Sequence, residues 1–166
     1  MKKKLAIAII ALMVLGTSGA FAFGIGLQLN GNADDSFENR GVALTFKVDS
    51  IPLIFAVNWG FYDEVQWVGV TADYWFLNNN ITTIGRSPLN WFIGIGLFGN
   101  VTVIEDDDTQ LAFGVRVPIG LNMFIGNGFF EPFVQIAPSF GVRVVPSLGM
   151  ENLFFPISLG FRCWFK

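Results

Sequence analysis

The sequence contains no histidine and only one cysteine, Cys163. Without histidine, the chain lacks the side chain that most often carries protons near neutral pH. Serine and cysteine nucleophiles also lack their usual activating partner. A single cysteine cannot form an intrachain disulfide. We therefore expect no enzyme and no disulfide framework, and we assign no catalytic residue and no cofactor.

Charge and long apolar runs are also scarce. Charged residues make up 14% of the chain and hydrophobic residues 52%, whereas a soluble domain has about 25% charged residues. Beyond position 16, no stretch reaches the roughly 18 apolar residues that indicate a membrane-spanning helix. A chain that crosses lipid without helices must close into a barrel, because each backbone polar group needs a partner inside the protein.

The N-terminus has the pattern of a secretory signal. Lys2 to Lys4 precede the short apolar core Leu5 to Leu15, and Ala20-Phe21-Ala22 is a small-x-small cleavage motif. We predict a cleaved signal peptide over 1–22 and a single domain over 23–166. Cleavage would leave seven basic and thirteen acidic side chains, a net charge of −6, which argues against a nucleic-acid partner.

The rest of the chain alternates with a period of two residues, the pattern of β-strands. Eight such segments are separated by polar, glycine or proline breaks, and they cover approximately 23–29, 42–48, 53–61, 67–76, 91–97, 111–123, 130–143 and 155–165. We expect bulges or strand ends at Pro118, Pro132, Pro138 and Pro156, because proline cannot donate to a ladder. The Asn78-Asn79-Asn80 run predicts an irregular loop over 77–90.

The two faces of these segments differ in composition. One face is apolar and carries no charge, whereas the other is rich in glycine, alanine and serine. The narrow interior of an eight-stranded barrel needs small and polar residues, so the glycine-rich face should point inward and the apolar face toward lipid. The sequence therefore predicts an all-β fold, an eight-stranded antiparallel up-and-down transmembrane barrel.

The inward face also carries a predicted lumen ionic cluster, which consists of Lys47, Asp73, Arg116, Glu131, Arg143 and Arg162. Buried charges must pair or remain hydrated. The cluster is either a network of ion pairs that closes the lumen, which we favour, or the lining of a weakly anion-preferring passage. The expected cross-strand pair is Glu131 with Arg162.

Acidic residues concentrate at one end of the predicted barrel. The connections there hold ten of the thirteen acids, namely Asp34, Asp35, Glu38, Asp63, Glu64, Glu105, Asp106, Asp107, Asp108 and Glu151. These acids either solvate exposed turns or bind a cation or an extracellular protein. The run from Glu105 to Asp108 is a weak candidate for a hard cation, since it lacks the EF-hand spacing.

The whole predicted domain resembles the eight-stranded outer-membrane barrel families, namely the OmpA transmembrane domain, OmpX and OmpW. The sharpest local match is the last segment, where residues alternate from Phe155 to Phe165, similar to the C-terminal signal that the barrel-assembly machinery recognises; Lys166 then follows the final aromatic residue. The resemblance implies a location in the outer membrane, contact with membrane lipid and insertion by that machinery.

Three functional hypotheses follow. The first is a non-enzymatic integral outer-membrane protein, structural or surface-interacting, with a largely plugged lumen. The second is a conduit for small solutes or, as the resemblance to OmpW implies, for hydrophobic molecules. The third is a soluble barrel that binds an apolar ligand, which would require the faces to be reversed.

Overall fold

The computed structural model describes residues 22–33, 41–62, 65–104 and 109–165. Its strands are β1 (Phe23–Asn32), β2 (Gly41–Val48), β3 (Ile54–Tyr62), β4 (Val65–Ile84), β5 (Ser87–Ile104), β6 (Gln110–Arg116), β7 (Ile119–Met123), β8 (Phe130–Ile136), β9 (Ser139–Val145), β10 (Gly149–Met150) and β11 (Pro156–Phe165). Within the described ranges, no helix is both long and apolar enough to cross a membrane.

These segments make eight barrel strands, because the last three are each interrupted once. The sixth barrel strand consists of β6 and β7, which both pair with β5. The seventh consists of β8 and β9, and the eighth of β10 and β11. Every neighbouring pair is antiparallel, and β1 pairs with β11 from Phe23↔Phe165 to Asn32↔Pro156. The sheet is therefore a closed ring, as predicted.

Three prolines lie in one row across the interrupted strands. The N–H of Gly94 donates to the carbonyl of Pro118 (2.8 Å), that of Val117 to Pro138 (2.9 Å) and that of Ala137 to Pro156 (2.8 Å). Each proline lacks an N–H, but its carbonyl still accepts a bond from the neighbouring barrel strand. The breaks are thus aligned, so that the hydrogen bonding between barrel strands continues past them.

Pro132 departs from the predicted pattern. It lies inside β8 opposite Phe161, without an interruption of the strand. The expectation of a bulge or strand end at this position is wrong, whereas β6 and β8 do end just before the breaks at Pro118 and Pro138, and β11 begins at Pro156.

The segment 77–90 is not the irregular loop that the asparagine run predicted. β4 and β5 continue as a paired ribbon to Ile84↔Ser87, with bulges between Trp75 and Leu77 and between Asn80 and Thr82. β7 pairs with β5 as far as Leu89↔Met123. Gly85 takes a positive φ of 65° in the turn, which glycine adopts without steric cost. Asparagine has a low strand propensity, but here pairing with β5 overrides it.

The wall has the polarity that the sequence predicted. Large apolar side chains such as Leu29, Leu97 and Leu159 are about 60% exposed on the outside, at 62%, 62% and 60%. Polar side chains such as Gln28, Thr45 and Gln135 are buried inside. The barrel therefore has an apolar exterior and a partly polar lumen, the reverse of a water-soluble protein.

Candidate functional site in the barrel lumen

Glu131 is the centre of a fully buried hydrogen-bond network near the end of the barrel where β1 begins and β11 ends. Its Oε1 accepts from Nδ2 of Asn122 (2.7 Å) and Nη2 of Arg162 (3.0 Å). Its Oε2 accepts from Nε of Arg162 (2.9 Å) and Nε1 of Trp164 (2.8 Å). A buried carboxylate is tolerated when its oxygens are paired and hydrogen-bonded in this way.

The register of the last two barrel strands brings this pair together. Glu131 on β8 lies directly opposite Arg162 on β11, and both side chains are 1% exposed. The structure thus joins the two residues that the sequence pattern had suggested as partners. The two parallel N–H···O bonds form a bidentate pair, the geometry that a guanidinium favours with a carboxylate.

Aromatic rings pack around this network. Trp75 stacks on Phe92 with ring centroids 3.5 Å apart and an interplanar angle of 11°. The guanidinium carbon of Arg162 lies 5.0 Å from the Trp75 centroid and 4.5 Å from that of Phe133. Such contacts are cation–π interactions, which strengthen when the charge is desolvated.

Lys47 completes the same group of side chains. Its Nζ lies 5.7 Å from the centroid of Trp75 and 5.5 Å from that of Trp164. We call the whole group the turn-end cluster, and it consists of Lys47, Trp75, Phe92, Asn122, Glu131, Phe133, Arg162 and Trp164. The cluster brings three of the six predicted lumen charges into one contact network across the barrel.

Asp73 and Arg116 form a second buried pair. Nε of Arg116 lies 3.2 Å from Oδ1 of Asp73, and both side chains are nearly inaccessible. The residues lie on β4 and β6, on either side of Gly96 on β5. A Cβ at Gly96 would collide with Oδ1 of Asp73. The glycine therefore lets two charges pair across an intervening strand.

Arg143 lies apart from the other predicted charges. Its Nε is 3.9 Å from Oε1 of Glu151, and the two side chains are 36% and 34% exposed. This pair lies near the opposite end of the barrel, where β9 and β10 meet. The six predicted residues therefore do not make one cluster. They divide into the turn-end cluster, the pair Asp73–Arg116 and the rim pair Arg143–Glu151.

A cavity of about 430 Å³ occupies the end of the lumen opposite the turn-end cluster, where β1 ends and β11 begins. We call it the loop-end cavity. Arg116 lines it, whereas none of the residues of the turn-end cluster does. Amide and hydroxyl side chains make up most of the polar lining, and they are Asn30, Asn32, Asn58, Asn100, Gln110, Asn152, Thr71, Thr102, Ser139 and Ser158.

Several predicted features fall outside the described residues. They are the signal segment up to residue 21 and all the acidic connection residues except Glu151, including the weak cation candidates Glu105, Asp106, Asp107 and Asp108. Within the described part of the chain, no three His, Cys, Asp or Glu side chains are placed to hold a metal ion. The cation hypothesis for residues 105–108 stays a prediction.

The sequence analysis did not select the neutral partners of the charged residues. Asn122 and Trp164 both donate to Glu131, and Trp75 packs against Arg162 and Lys47. Trp75 and Trp164 fall on the inward face of their strands, and this position was the sign in the sequence that they line the lumen. Which donors reach one carboxylate depends on strand register and side-chain rotamers, and alternation does not report either.

No protein family and no curated protein matches the sequence. Among solved structures, the chain is similar to the N-terminal β-barrel domain of Pseudomonas aeruginosa OprF, with 14% identity, a TM-score of 0.43 and coverage of 87% of this chain and 97% of that one. It is also similar to Ail, the attachment invasion locus protein of Yersinia pestis (14%, TM-score 0.39, coverage 87% and 96%) and to Neisserial surface protein A (13%, 0.34, 87% and 97%).

The strand pairings of the chain itself define its class. Eight antiparallel barrel strands close on one another, the exterior is apolar, and Asp73, Arg116, Glu131 and Arg162 are buried inside. This is the architecture of the eight-stranded outer-membrane barrels. The resemblance predicted from the sequence is thereby confirmed at the level of the fold.

Proposed function

We propose that the chain is an integral outer-membrane protein without enzymatic activity, structural or surface-interacting, whose lumen is closed to solutes. The observation that carries the proposal is the turn-end cluster, in which paired charges and stacked rings fill the lumen behind an apolar outer wall. An eight-stranded barrel leaves just enough interior for side chains to fill.

The apolar outer face of the barrel wall supports a membrane location. An apolar exterior of closed strands suits lipid, because lipid neither competes for backbone hydrogen bonds nor solvates charge. A soluble barrel for an apolar ligand would need apolar side chains inside, whereas Gln28, Thr45 and Gln135 occupy that face. With the start of β1 in the periplasm, the connections after the first, third, fifth and seventh barrel strands would then lie outside the cell.

Gel mobility with and without boiling tests the membrane barrel. The chain is refolded in detergent and run in SDS before and after heating. We expect a mobility shift on boiling, because a closed barrel has no free strand edge at which unfolding can begin. A chain that is soluble and monomeric without detergent and shows no shift would contradict the proposal.

A charge on the outer wall tests contact with lipid. Leu159 is 60% exposed in β11, and Leu159→Arg should destabilise the barrel in vesicles by about 2–4 kcal/mol if the site lies near the bilayer midplane. Leu148→Arg is the matched control, because Leu148 is 81% exposed but lies beyond the end of β9. Equal and small effects of the two substitutions would argue against a bilayer around β11.

Conductance in planar bilayers tests the closed lumen and separates it from the conduit hypothesis. We expect no reproducible channels from the unmodified chain. Removing the stacked pair with Trp75→Ala and Phe92→Ala together should create small, reproducible channels, because these rings fill the turn end of the lumen. Phe140→Ala is the control, since Phe140 is 40% exposed on the exterior. Clear channels from the unmodified chain would favour a small-solute conduit.

A further inference from the structure

Two residues that line the loop-end cavity carry buried hydrogen-bond donors without acceptors among the described residues. Arg116 is 6% exposed and lines the cavity, and its Nη2 has no hydrogen-bond partner in the part of the chain that the structure describes. Nε1 of Trp67, another lining residue, is likewise buried and without a partner among the described residues. Buried donors are normally satisfied, and a rotation of either side chain toward the cavity would let an oxygen atom inside it accept from these two.

The rest of the lining is rich in groups that both donate and accept. Three asparagines on separate strands, Asn30, Asn58 and Asn100, contribute amides to the same cavity. Nδ2 of Asn30 donates to Oδ1 of Asn58 (2.9 Å), which fixes the orientation of both side chains. An amide offers donors and an acceptor at defined positions, and a hydroxyl group of a ligand can use both.

Charge and aromatic content narrow the class of ligand. The cations Arg116 and Arg143 near the cavity each have a carboxylate partner, Asp73 and Glu151, so the lining presents little net charge to an anion. The rings of Phe98 and Phe154 also line it and contact each other edge to face, with centroids 5.4 Å apart. Aromatic faces pack against the C–H groups of a ring, while the amides take its hydroxyls.

We propose that the loop-end cavity binds a small uncharged hydroxyl-rich molecule of saccharide type, either free or as the end of a longer glycan. The volume of about 430 Å³ lies within the range of about 300–1,000 Å³ that is usual for small-molecule sites. The molecule enters from the end of the barrel opposite the turn-end cluster and stops above that cluster. Binding therefore requires no passage through the barrel.

The indole N–H of Trp67 provides the readout. The isotope-labelled chain is refolded in phosphocholine micelles, because detergents with sugar headgroups would compete, and Trp67→Phe assigns the signal. Glucose, galactose, mannose and their disaccharides are titrated, with acetate and phosphate as anionic probes. We expect a saturable change in the NMR chemical shift of the Trp67 indole N–H with at least one saccharide, and no such change with the anions.

Two variants test whether the amides and hydroxyls of the cavity carry the affinity. Asn100→Leu should weaken saccharide binding at least tenfold, and Thr102→Val, which changes the shape little, should weaken it several-fold. Asn80→Leu is the control, because Asn80 lies in the β4–β5 ribbon at the opposite end and does not line the cavity. A mobility shift on boiling verifies that each variant is folded.

The possible outcomes decide the proposal. No saturable shift with any saccharide would mean that the cavity holds water only, and a response to anions alone would make it an Arg116 anion site. Equal affinity in Asn100→Leu, Thr102→Val and Asn80→Leu would place binding elsewhere. Each of these results overturns the proposal, and none bears on the closed lumen, which conductance tests separately. Titrating a polymer-linked form of the same sugars beside the free ones separates the two sources: a response to the free sugars indicates a soluble solute, whereas a response to the polymer alone indicates a surface glycan.

Discussion

The two ends of the lumen use the same kinds of side chain in different ways. At the turn end, Glu131 meets four donor atoms from three side chains, and aromatic rings cover the charges on both sides. At the loop end, the pair Arg143–Glu151 is longer and partly exposed, and the amides line open space. The comparison teaches that inward polar residues do not by themselves specify a channel or a plug. The two ends differ in whether these side chains hydrogen-bond to one another or line a cavity.

Removing Glu131 should give the largest effect and sharpen the comparison most. Glu131→Ala leaves Arg162 buried without its counter-charge, which should destabilise the barrel by about 3–5 kcal/mol. Equilibrium unfolding in urea with lipid vesicles measures the change. The double variant Glu131→Ala, Arg162→Met should recover much of the loss, because it removes the orphaned charge. Additive losses in the double variant would mean that the two residues do not act as a pair.

A methyl group at Gly96 tests the pair that lies between the two ends. Gly96→Ala should cost about 1–3 kcal/mol through overpacking, since Asp73 would have to move away from Arg116. Gly99→Ala on the same strand is the matched control, because the nearest atom to a new Cβ there is Cγ2 of Val70 at 4.0 Å. Equal unfolding free energies for the two variants would remove the argument for a close approach at Gly96.

Breaking the rim pair should have the smallest effect. Glu151→Ala should change the unfolding free energy by no more than about 1 kcal/mol, because partly exposed ion pairs are screened by water and contribute little. The Nε–Oε1 distance of 3.9 Å and the exposure of both side chains place this pair in that class. The same urea titration measures it beside Glu131→Ala. A loss as large as that of Glu131→Ala would break the distinction between the two ends.

The pairing of Glu131 with Arg162 and the inward position of Lys47 could be anticipated, whereas the other contacts of the turn-end cluster could not. Both residues have inward parity, and they lie near the same end of consecutive barrel strands, so their approach follows from alternation and connectivity. The donors Asn122 and Trp164 reach the same carboxylate from two further positions. Their convergence depends on the register of three strands and on side-chain rotamers. Neither can be read from the residues around one position in the sequence.

The β4–β5 ribbon shows where local propensity misleads. Asn78, Asn79 and Asn80 disfavour a strand taken alone, and for that reason a loop was expected. In the structure, Nδ2 of Asn80 donates to the carbonyls of Thr82 (3.0 Å) and Leu89 (3.2 Å) and to Oδ1 of Asn90 (3.2 Å). The asparagine side chain thus stabilises the ribbon across its bulge, an effect that appears only once the two strands are paired.

The sequence by itself determined the class of fold and which face of each strand points outward. Alternation with a period of two gives each strand two faces, and only one assignment places every strand charge away from lipid. The tertiary structure alone decided which charges meet, where the prolines align and where the loop-end cavity lies. These features depend on register, shear and side-chain rotamers, which are set by contacts between residues far apart in the chain. Alternation specifies a face for each residue but not its partner.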